Sequence, residues 1–341
     1  MKKLILIIVL IFLHKSVYSN NLFETQIYNI EFTSNNIDDD KIREIKNIKY
    51  KSILNIFKNI LDGPAYLKVN EIITDDLINT FIKNILINDE KIINDQYYAK
   101  IKINFDKRKI INFLRSKNIS YVAYHPDNFL LIIYEIDGIN KNLFSTNNNY
   151  YKYYNDYLKN NTLFEIPNLD INDRFMLNED HIIIRDYDKI NNFSKKYNID
   201  EILVVISKTK NNIVDYDLIL YSEGKISEKK LQYNKKEIAL FFDILEHEAL
   251  NLWKNSNKIQ NKYLYSINCK LKFYNLAELK EIRKNLSNVS IINNLEVKIL
   301  SYKNIDYKIN YYGDLEKFSK ILQLNKLKIN DDKQNCIIGL I

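Results

Sequence analysis

Apolar and polar residues alternate from Tyr97 to Phe105, with Lys100, Lys102 and Asn104 between apolar positions. This period of two predicts a strand with one buried face. A first strand is predicted over 23–33. Apolar residues recur at helical spacing over 42–61, which predicts a long amphipathic helix. Shorter helices are predicted over 74–87 and 107–116.

The middle of the chain repeats one order of elements. Residues 108–124 and 188–205 each show a helical pattern, a polar turn that contains asparagine, and an apolar run. The run from Phe129 to Tyr134 is apolar at every position, which predicts a buried strand. Helices followed by apolar strands are typical of layered α/β proteins.

Three strands are then predicted between residues 201 and 233. Turn residues at Asn211-Asn212 and Glu223-Gly224 separate them, so they form an antiparallel meander. A long helix is predicted over 235–254, because its apolar residues fall on one side.

The last segment has the order strand, helix, strand, strand, helix, strand. This βαββαβ order predicts a ferredoxin-like domain whose first and last strands are antiparallel neighbours. Cys269 and Cys336 lie on those two strands, so a disulfide can form if the register places them on the same face. The predicted elements are strands 262–273, 289–301 and 304–312, helices 276–286 and 315–324, and a final strand or hairpin 326–340.

These patterns together predict an α/β (α+β) protein of three small layered domains, over 20–118, 119–258 and 259–341. The 341 residues suffice for two or three domains, each with its own core. Apolar residues make up 46% of the chain, which argues against disorder.

The first residues have the three parts of a secretory signal peptide. Lys2 and Lys3 precede an apolar run from Leu4 to Leu13, and the small-residue pattern around Ser19 follows. We predict a signal peptide over 1–19 and a periplasmic location. The apolar run has about half of the roughly 20 residues that span a bilayer, so we expect no transmembrane span after cleavage. An uncleaved anchor is the alternative.

Charge gives little support for a nucleic-acid partner. Removing residues 1–19 removes three lysines and no acid, which lowers the formal charge from +7 to +4. The 50 basic and 43 acidic residues are interspersed, whereas nucleic-acid binders cluster their basic residues. We therefore expect no nucleic acid among the partners.

A glycine-rich phosphate loop, a dinucleotide-binding fingerprint and a nucleophile elbow are missing from a chain with only five glycines. We predict no catalytic, cofactor-binding or metal-binding residues. The groups that we weighed were His125 at the entry to a strand, the acidic loop with Asp170, Asp173, Glu179, Asp180 and His181, the trio Glu246, His247 and Glu248, the pairs Ser222/Lys225 and Ser227/Lys230, and the tyrosines of 150–157.

Each group has an ordinary structural explanation. Neighbouring side chains of a helix point about 100° apart, so Glu246, His247 and Glu248 cannot meet at one atom. The serine-lysine pairs lie across a predicted hairpin rather than on one helix face. His125 has no second histidine or cysteine near it in sequence. The acidic loop lacks the ligand spacing of a calcium loop.

Two blocks of the sequence resemble the exported proteobacterial family known as domain of unknown function 2066. The resemblance implies an envelope protein with no assigned reaction, and it supplies no catalytic residues. The blocks consist of Phe113-Leu114-Arg115, Pro126 and Leu130–Tyr134 ending at Asp137, followed by Tyr197–Asp200, Ile202–Ile206 and Tyr216–Leu220 before Gly224.

The expected function is a non-enzymatic, soluble periplasmic module that binds other envelope proteins; the sequence leaves its oligomeric state open. One alternative is an exported hydrolase whose site assembles from distant residues around His125 or His181. Another is a peripheral membrane protein that uses the helix over 41–61, whose polar face carries Arg43, Lys46, Lys51 and Lys58.

Overall fold

The computed structural model describes residues 23, 25–158, 161–234, 238–332 and 335–341. These residues form two compact units. Unit 1 consists of the described residues up to Asn59 together with Asp75–Lys107, and unit 2 consists of Ile60–Thr74 and Arg108–Ile341. Helices and strands are mixed throughout, which confirms the predicted α/β class. The predicted signal peptide over 1–19 lies outside the described residues.

Unit 1 contains a three-stranded antiparallel sheet in the order β1-β3-β2. The alternation predicted for β3 is confirmed, since Tyr97, Ile101 and Ile103 are fully buried. The elements of this unit are β1 (Tyr28–Thr33), α1 (Ile37–Ile60), α3 (Asp75–Phe81), β2 (Ile82–Ile93) and β3 (Gln96–Phe105), while α2 (Gly63–Ile72) belongs to unit 2.

The helix predicted over 74–87 is wrong in its second half, because residues 82–87 belong to β2. A register shift between Ile82 and Asn84 places Ile82, Ile85 and Ile87 opposite residues of β3. That spacing fits a helix as well as an irregular strand. Pairing with β3 decides between the two, since β-branched isoleucine suits a pleated surface.

Helix α1 turns its apolar residues inward. Ile53, Ile56 and Phe57 are buried, and the Phe57 ring meets the Phe81 ring edge-on at 6.4 Å. These side chains are part of the core of unit 1, so they do not form a free apolar face for a membrane surface. Among the residues that the structure describes, no helix has the length and apolarity needed to span a bilayer.

The central sheet of unit 2 has the order β5-β4-β7-β8-β9, and β6 pairs with β4. The predicted meander is confirmed in β7, β8 and β9, while β4 runs parallel to β7. The elements are α4 (Lys107–Ser116), β4 (Phe129–Asp137), β5 (Asn140–Asn142), α5 (Asn149–Tyr153), β6 (Phe164–Glu165), α6 (Ile171–Met176), α7 (Glu179–Ile183), α8 (Tyr187–Lys195), β7 (Ile202–Lys210), β8 (Ile213–Ser222), β9 (Lys225–Asn234) and α9 (Ile238–Asn257).

Strand β4 is the centre of this core. Every side chain from Phe129 to Tyr134 is fully buried, as its unbroken apolar sequence predicts. Leu130, Ile132 and Tyr134 pack in one cluster with residues of α7 and α8, including Phe193. The helix-to-strand turns end in Asn118 and Asn198 with positive φ, a conformation that asparagine tolerates better than most residues.

A second sheet of unit 2 has the order β11-β12-β10-β14-β13. The element order predicted for a ferredoxin-like domain is present up to residue 324, and the segment after it forms a hairpin rather than one strand. The three predicted domains thus contain one sheet each, although their boundaries stay predictions. The elements are β10 (Leu264–Lys272), α10 (Leu276–Asn288), β11 (Ile292–Leu300), β12 (Asn304–Tyr312), α11 (Leu315–Leu324), β13 (Leu327–Asp332) and β14 (Asn335–Leu340).

The first and last strands of this sheet are neighbours, as predicted, but the predicted antiparallel direction is wrong. β10 and β14 run parallel, with Cys269 directly opposite Cys336. The terminal hairpin reverses the chain once more, so its second arm runs in the same direction as β10. The two cysteines form a disulfide, and their Cα atoms are 4.5 Å apart.

Candidate interaction surface

His125 lies where the chain enters β4, and its side chain is partly buried. Burial, followed by the positive charge of Lys254, lowers the pKa of His125 from its ordinary 6.5 to about 4. The imidazole is therefore neutral at physiological pH. Its charged neighbour is a lysine rather than an acid, which does not match the acid-histidine pair of the hydrolase hypothesis.

This burial predicts a pH-dependent stability. The unfolded chain binds a proton at His125 below pH 6.5, whereas the folded chain does so only near pH 4. Stability is therefore complete above pH 6.5 and falls as the pH decreases towards 4. Between pH 7 and pH 5, the free energy of unfolding of wild type should fall by about 2 kcal/mol more than that of His125→Gln. Urea unfolding followed by the fluorescence of Trp253 measures the difference, and parallel pH profiles would contradict the assignment.

Tyr124, the residue before His125, belongs to a polar cluster assembled from distant parts of the chain. We call it the Tyr124 cluster. Its hydroxyl donates to Glu223 Oε1 at 2.6 Å and lies 3.4 Å from Asn257 Oδ1. Asn257 in turn donates to Ser222 Oγ at 3.0 Å. Burial raises the pKa of Tyr124 above its usual range. The cluster ties the entry of β4 to the β8–β9 turn and to the end of α9.

The serine-lysine pairs do not assemble into a catalytic site. Ser222 is buried in the Tyr124 cluster, while the Lys225 opposite it in the hairpin is exposed. Ser227 Oγ bonds to Ser256 Oγ at 2.6 Å. Each serine therefore has a hydrogen-bond partner that fixes local structure.

The trio on α9 also diverges. Glu248 is mostly covered and pairs with Lys229 on β9 at 2.5 Å. Glu246 and His247 are exposed on the same helix. One acid thus fastens the helix to the edge of the central sheet, while the other two side chains face water.

The tyrosines of 150–157 are mainly core residues rather than a surface for stacking. Tyr150 lies 2.8 Å from Ser207 Oγ, and the Tyr151 hydroxyl accepts the backbone N–H of Ile133 at 2.7 Å. Tyr154 donates to the carbonyl of Phe164. These bonds attach α5 and the π-helical turn after it to the central sheet. Tyr157 is largely exposed.

A polar cleft of about 270 Å³ lies at the edge of the central sheet. Glu135 and Asp137 line it together with four asparagines. The buried carboxylate of Glu135 already accepts the backbone N–H and the side-chain amide of Asn149, at 3.1 and 2.7 Å. Small-molecule sites are mostly apolar with a few polar groups, so this cleft does not have their character.

The acidic loop does not converge on a cation. Asp170 accepts the backbone N–H of Asp173 and so caps α6, and Glu179 accepts the hydroxyl of Tyr134 at 2.7 Å. Asn178 and His181 form a capping box at the start of α7. Within the described ranges, no three histidine, cysteine, aspartate or glutamate residues are placed to hold a metal ion.

Asp173 is the one completely buried acid of this loop. Its carboxylate accepts the ammonium of Lys196 at 2.7 Å, the hydroxyl of Tyr197 at 2.6 Å and the backbone N–H of Leu169 at 2.9 Å. The hydrogen bond to Asp173 raises the pKa of Lys196. Leu169 has φ +61°, a left-handed conformation that costs leucine about 1 kcal/mol or more. The hydrogen bond to Asp173 therefore stabilises the strained backbone of Leu169, two residues before α6.

Because Asp173 on one side of α6 is buried, the apolar side of this helix faces outward. Ile171 and Phe175 are four residues apart and share one face, whereas Asp173 lies about 200° around the helix from Ile171. The usual arrangement is thus inverted: the acid is inside and the apolar residues meet water. Phe175 is 82% exposed and Ile184, just after α7, is 68% exposed. We call the following set the 171–184 surface: Ile171, Phe175, Met176, Ile183 and Ile184.

The surroundings of this surface are acidic. Residues 170–189 contain six acids and three bases, in a chain whose total charge is positive. Arg174 donates to the Phe144 carbonyl at 2.9 Å, and Arg185 pairs with Glu228 at 2.8 Å. Two of the acids, Asp170 and Asp173, pair with Lys196. Asp180 and Asp188 are exposed. The exposed apolar residues of this surface therefore lie in a segment with exposed acids.

The chain was compared with protein families, curated proteins and solved structures. No family model matches the chain, and no curated protein matches it. Among solved structures, the C-terminal domain of LpoB from Salmonella enterica is similar over 38% of this chain and 99% of that chain, with 14% identity and a TM-score of 0.23. A TM-score of this size carries no argument about fold or function.

Proposed function

We propose that this chain is a non-enzymatic protein-interaction module of the cell envelope, which binds a partner protein through the 171–184 surface. The observation that carries the proposal is the inverted arrangement of α6, in which a buried acid holds large apolar side chains in water. Exposed apolar side chains grouped in this way are typical of protein-binding sites. The signal-peptide pattern and the resemblance to the exported family support the envelope location.

The surface has the features of a binding hot spot. Phe175 is aromatic and 82% exposed, and covering a phenylalanine side chain contributes about 1.5–3 kcal/mol. Asp173 and the Tyr134–Glu179 bond hold the two short helices in place before binding. A preformed surface loses less entropy on association than a flexible one.

The non-enzymatic part of the proposal is supported by the positions of the candidate reactive groups. His125 is partly buried and lies near the positive charge of Lys254, and His181 takes part in the capping box of α7. Ser222 and Glu223 are bonded within the Tyr124 cluster. The hydrogen bonds and burial of these side chains give each of them a role in the fold.

The proposal predicts a loss of partner binding when the surface is made polar. Phe175→Ser/Ile184→Ser should reduce crosslinked partner proteins in the periplasm at least about tenfold, because both apolar contacts are lost. Quantitative mass spectrometry after crosslinking of the tagged full chain measures the change. Ile139→Ser is the matched control, since Ile139 is an apolar residue of the same unit that is 96% exposed. Equal recovery from the double variant and the control would refute the proposal.

A further inference from the structure

The capping box at the start of α7 uses a histidine as one of its two acceptors. The side chain of Asn178 accepts the backbone N–H of His181 at 3.0 Å, and the imidazole Nδ1 of His181 accepts the backbone N–H of Asn178 at 3.2 Å. The second acceptor of a capping box is usually a glutamate or glutamine side chain. A histidine differs from both, because imidazoles ordinarily take up a proton at about pH 6.5.

Protonation of the imidazole and the hydrogen bond from Asn178 exclude each other. The bond requires a lone pair on Nδ1 of His181, which only the neutral imidazole with its proton on Nε2 provides. A protonated imidazole carries N–H groups at both ring nitrogens and accepts no hydrogen bond. Proton uptake by His181 therefore removes one of the two bonds of the capping box and leaves the N–H of Asn178 without this acceptor.

The position of α7 depends on its cap because the helix is short. It has five residues, and isolated helices of this length are unstable in water. Its anchors to the core are the buried side chain of Ile182 and the bond from the Tyr134 hydroxyl to Glu179. Ile183 and Ile184 of the 171–184 surface lie at its end. The capping box thus helps to hold the α7 part of this surface in place.

The α6 part of the surface has a cap that stays intact at mildly acidic pH. Asp170 accepts the backbone N–H of Asp173 at 2.9 Å, and this hydrogen bond holds the pKa of Asp170 below its ordinary value of 3.8. Its carboxylate is therefore still ionised when an ordinary imidazole is already protonated. Acidification should loosen α7 and leave Phe175 on α6 where it is.

Acids outnumber bases around His181. Glu179 is bonded to Tyr134 and Arg185 to Glu228, while Asp180 is exposed. The segment can therefore hold an additional positive charge next to acids and water. The charged and titratable side chains on α7 and on the elements packed against it are Glu179, Asp180 and Arg185, then Asp186, Tyr187, Asp188 and Lys189 at the start of α8, Tyr134 on β4 and Tyr221 on β8.

We propose that His181 is a pH switch for the 171–184 surface: below about pH 6 the capping box opens, α7 loosens and partner binding weakens. This rests on the proposed function and adds the regulation of the same surface. Loss of one capping interaction shifts the equilibrium of a helix about fivefold towards its open form. A partner that binds the ordered surface must then order α7 again, so its affinity falls by up to about fivefold.

Hydrogen exchange of the full mature chain measures the opening of α7 directly. His181→Gln keeps a side-chain acceptor that does not titrate, and His181→Ala removes the acceptor. At about pH 7.5, the amides of 178–184 should be equally protected in wild type and His181→Gln and exchange about fivefold faster in His181→Ala. At about pH 5, wild type should match His181→Ala, while His181→Gln stays protected.

Two controls separate this switch from other effects of acid. Exchange rates are divided by those of the unfolded chain at the same pH, which removes the intrinsic dependence of exchange on pH. His125 is present in all three proteins, so its effect on global stability cancels. The amides of α6, which Asp170 caps, should show the same protection in all three proteins. Trp253 fluorescence during urea unfolding shows that each variant folds.

Photo-crosslinking from position 175 tests the consequence for binding. The three purified chains, each with a photoreactive phenylalanine analogue at this exposed position, are irradiated in a periplasmic extract at about pH 7.5 and about pH 5. The yield of discrete products from wild type should fall by up to about fivefold at the lower pH. The yield from His181→Gln should not fall, which also controls for titration of the partner, and the yield from His181→Ala should be low at both.

Equal protection of wild type and His181→Gln at the lower pH, or of wild type and His181→Ala at the higher pH, would overturn the inference. So would crosslinking yields from wild type and His181→Gln that fall together on acidification. In each case, discrete products from wild type at the higher pH would leave the proposed function standing. If no chain gave discrete products at the higher pH, the proposed function would fail, and the inference with it, even where exchange shows that the cap opens.

Discussion

Replacing both cysteines, Cys269→Ala/Cys336→Ala, is expected to lower the free energy of unfolding of unit 2 by about 4 kcal/mol. The disulfide joins residues 67 positions apart, and closing a loop of that length removes much entropy from the unfolded chain. It also lies at the short parallel pairing of β10 with β14, which covers only three residue pairs. Without the bond, the terminal hairpin has little else that fixes its position beside β10.

Urea unfolding measures this loss, with circular dichroism for the whole chain and fluorescence of Trp253 for unit 2. Trp253 is the single tryptophan of the chain and is fully buried in α9. Adding a reducing agent to wild type should produce the same loss, while the double alanine variant should not respond to it. If the free energy of unfolding of the double variant were within about 1 kcal/mol of the wild-type value, the disulfide would contribute little to stability.

Asp173→Ala is expected to lower the free energy of unfolding of unit 2 by about 3 kcal/mol. Its carboxylate is the shared acceptor for Lys196, Tyr197 and the backbone of Leu169. Removing it leaves a lysine without its buried counter-ion and a strained Leu169 without its hydrogen bond. Lys196 is partly exposed, so water compensates some of the loss.

The matched control is Asp170→Ala, three residues away. That side chain caps α6 and is 40% exposed, so its removal should cost only about 1 kcal/mol. Trp253 fluorescence during urea unfolding reports both variants, since all these residues belong to unit 2. If Asp173→Ala and Asp170→Ala lowered the free energy of unfolding equally, Asp173 would not be what holds α6 in its inverted orientation.

The parts of the fold that were predictable from sequence are those with an unambiguous period. β3 alternates strictly, β4 is apolar at every position, and the β7–β9 meander is separated by turn residues, so each was correct. The pattern of residues 82–87 predicts a helix although they form a strand, because a bulged strand and a helix space their isoleucines alike. The direction of β14 depends on whether the terminal segment folds once or twice, which the hydrophobic pattern left open.

The sequence pattern does not predict the 171–184 surface, for a related reason. α6 and α7 have six and five residues, too few to show a helical period, and the segment therefore looked like an acidic loop. Asp173 is bonded to Lys196 and Tyr197, more than 20 residues later, and nothing in the local pattern indicates that it is buried. The available signal was Phe175 with a run of isoleucines at 182–184 inside an acidic segment.

Site-specific photo-crosslinking in cells tests the central claim, that the 171–184 surface exists to bind a protein. A photoreactive phenylalanine analogue at position 175 is compared with the same analogue at Ile139, which is 96% exposed and lies in the turn between β4 and β5. Discrete crosslinked products of defined mass are expected from position 175 and not from position 139. Identical diffuse products from both positions would contradict the account.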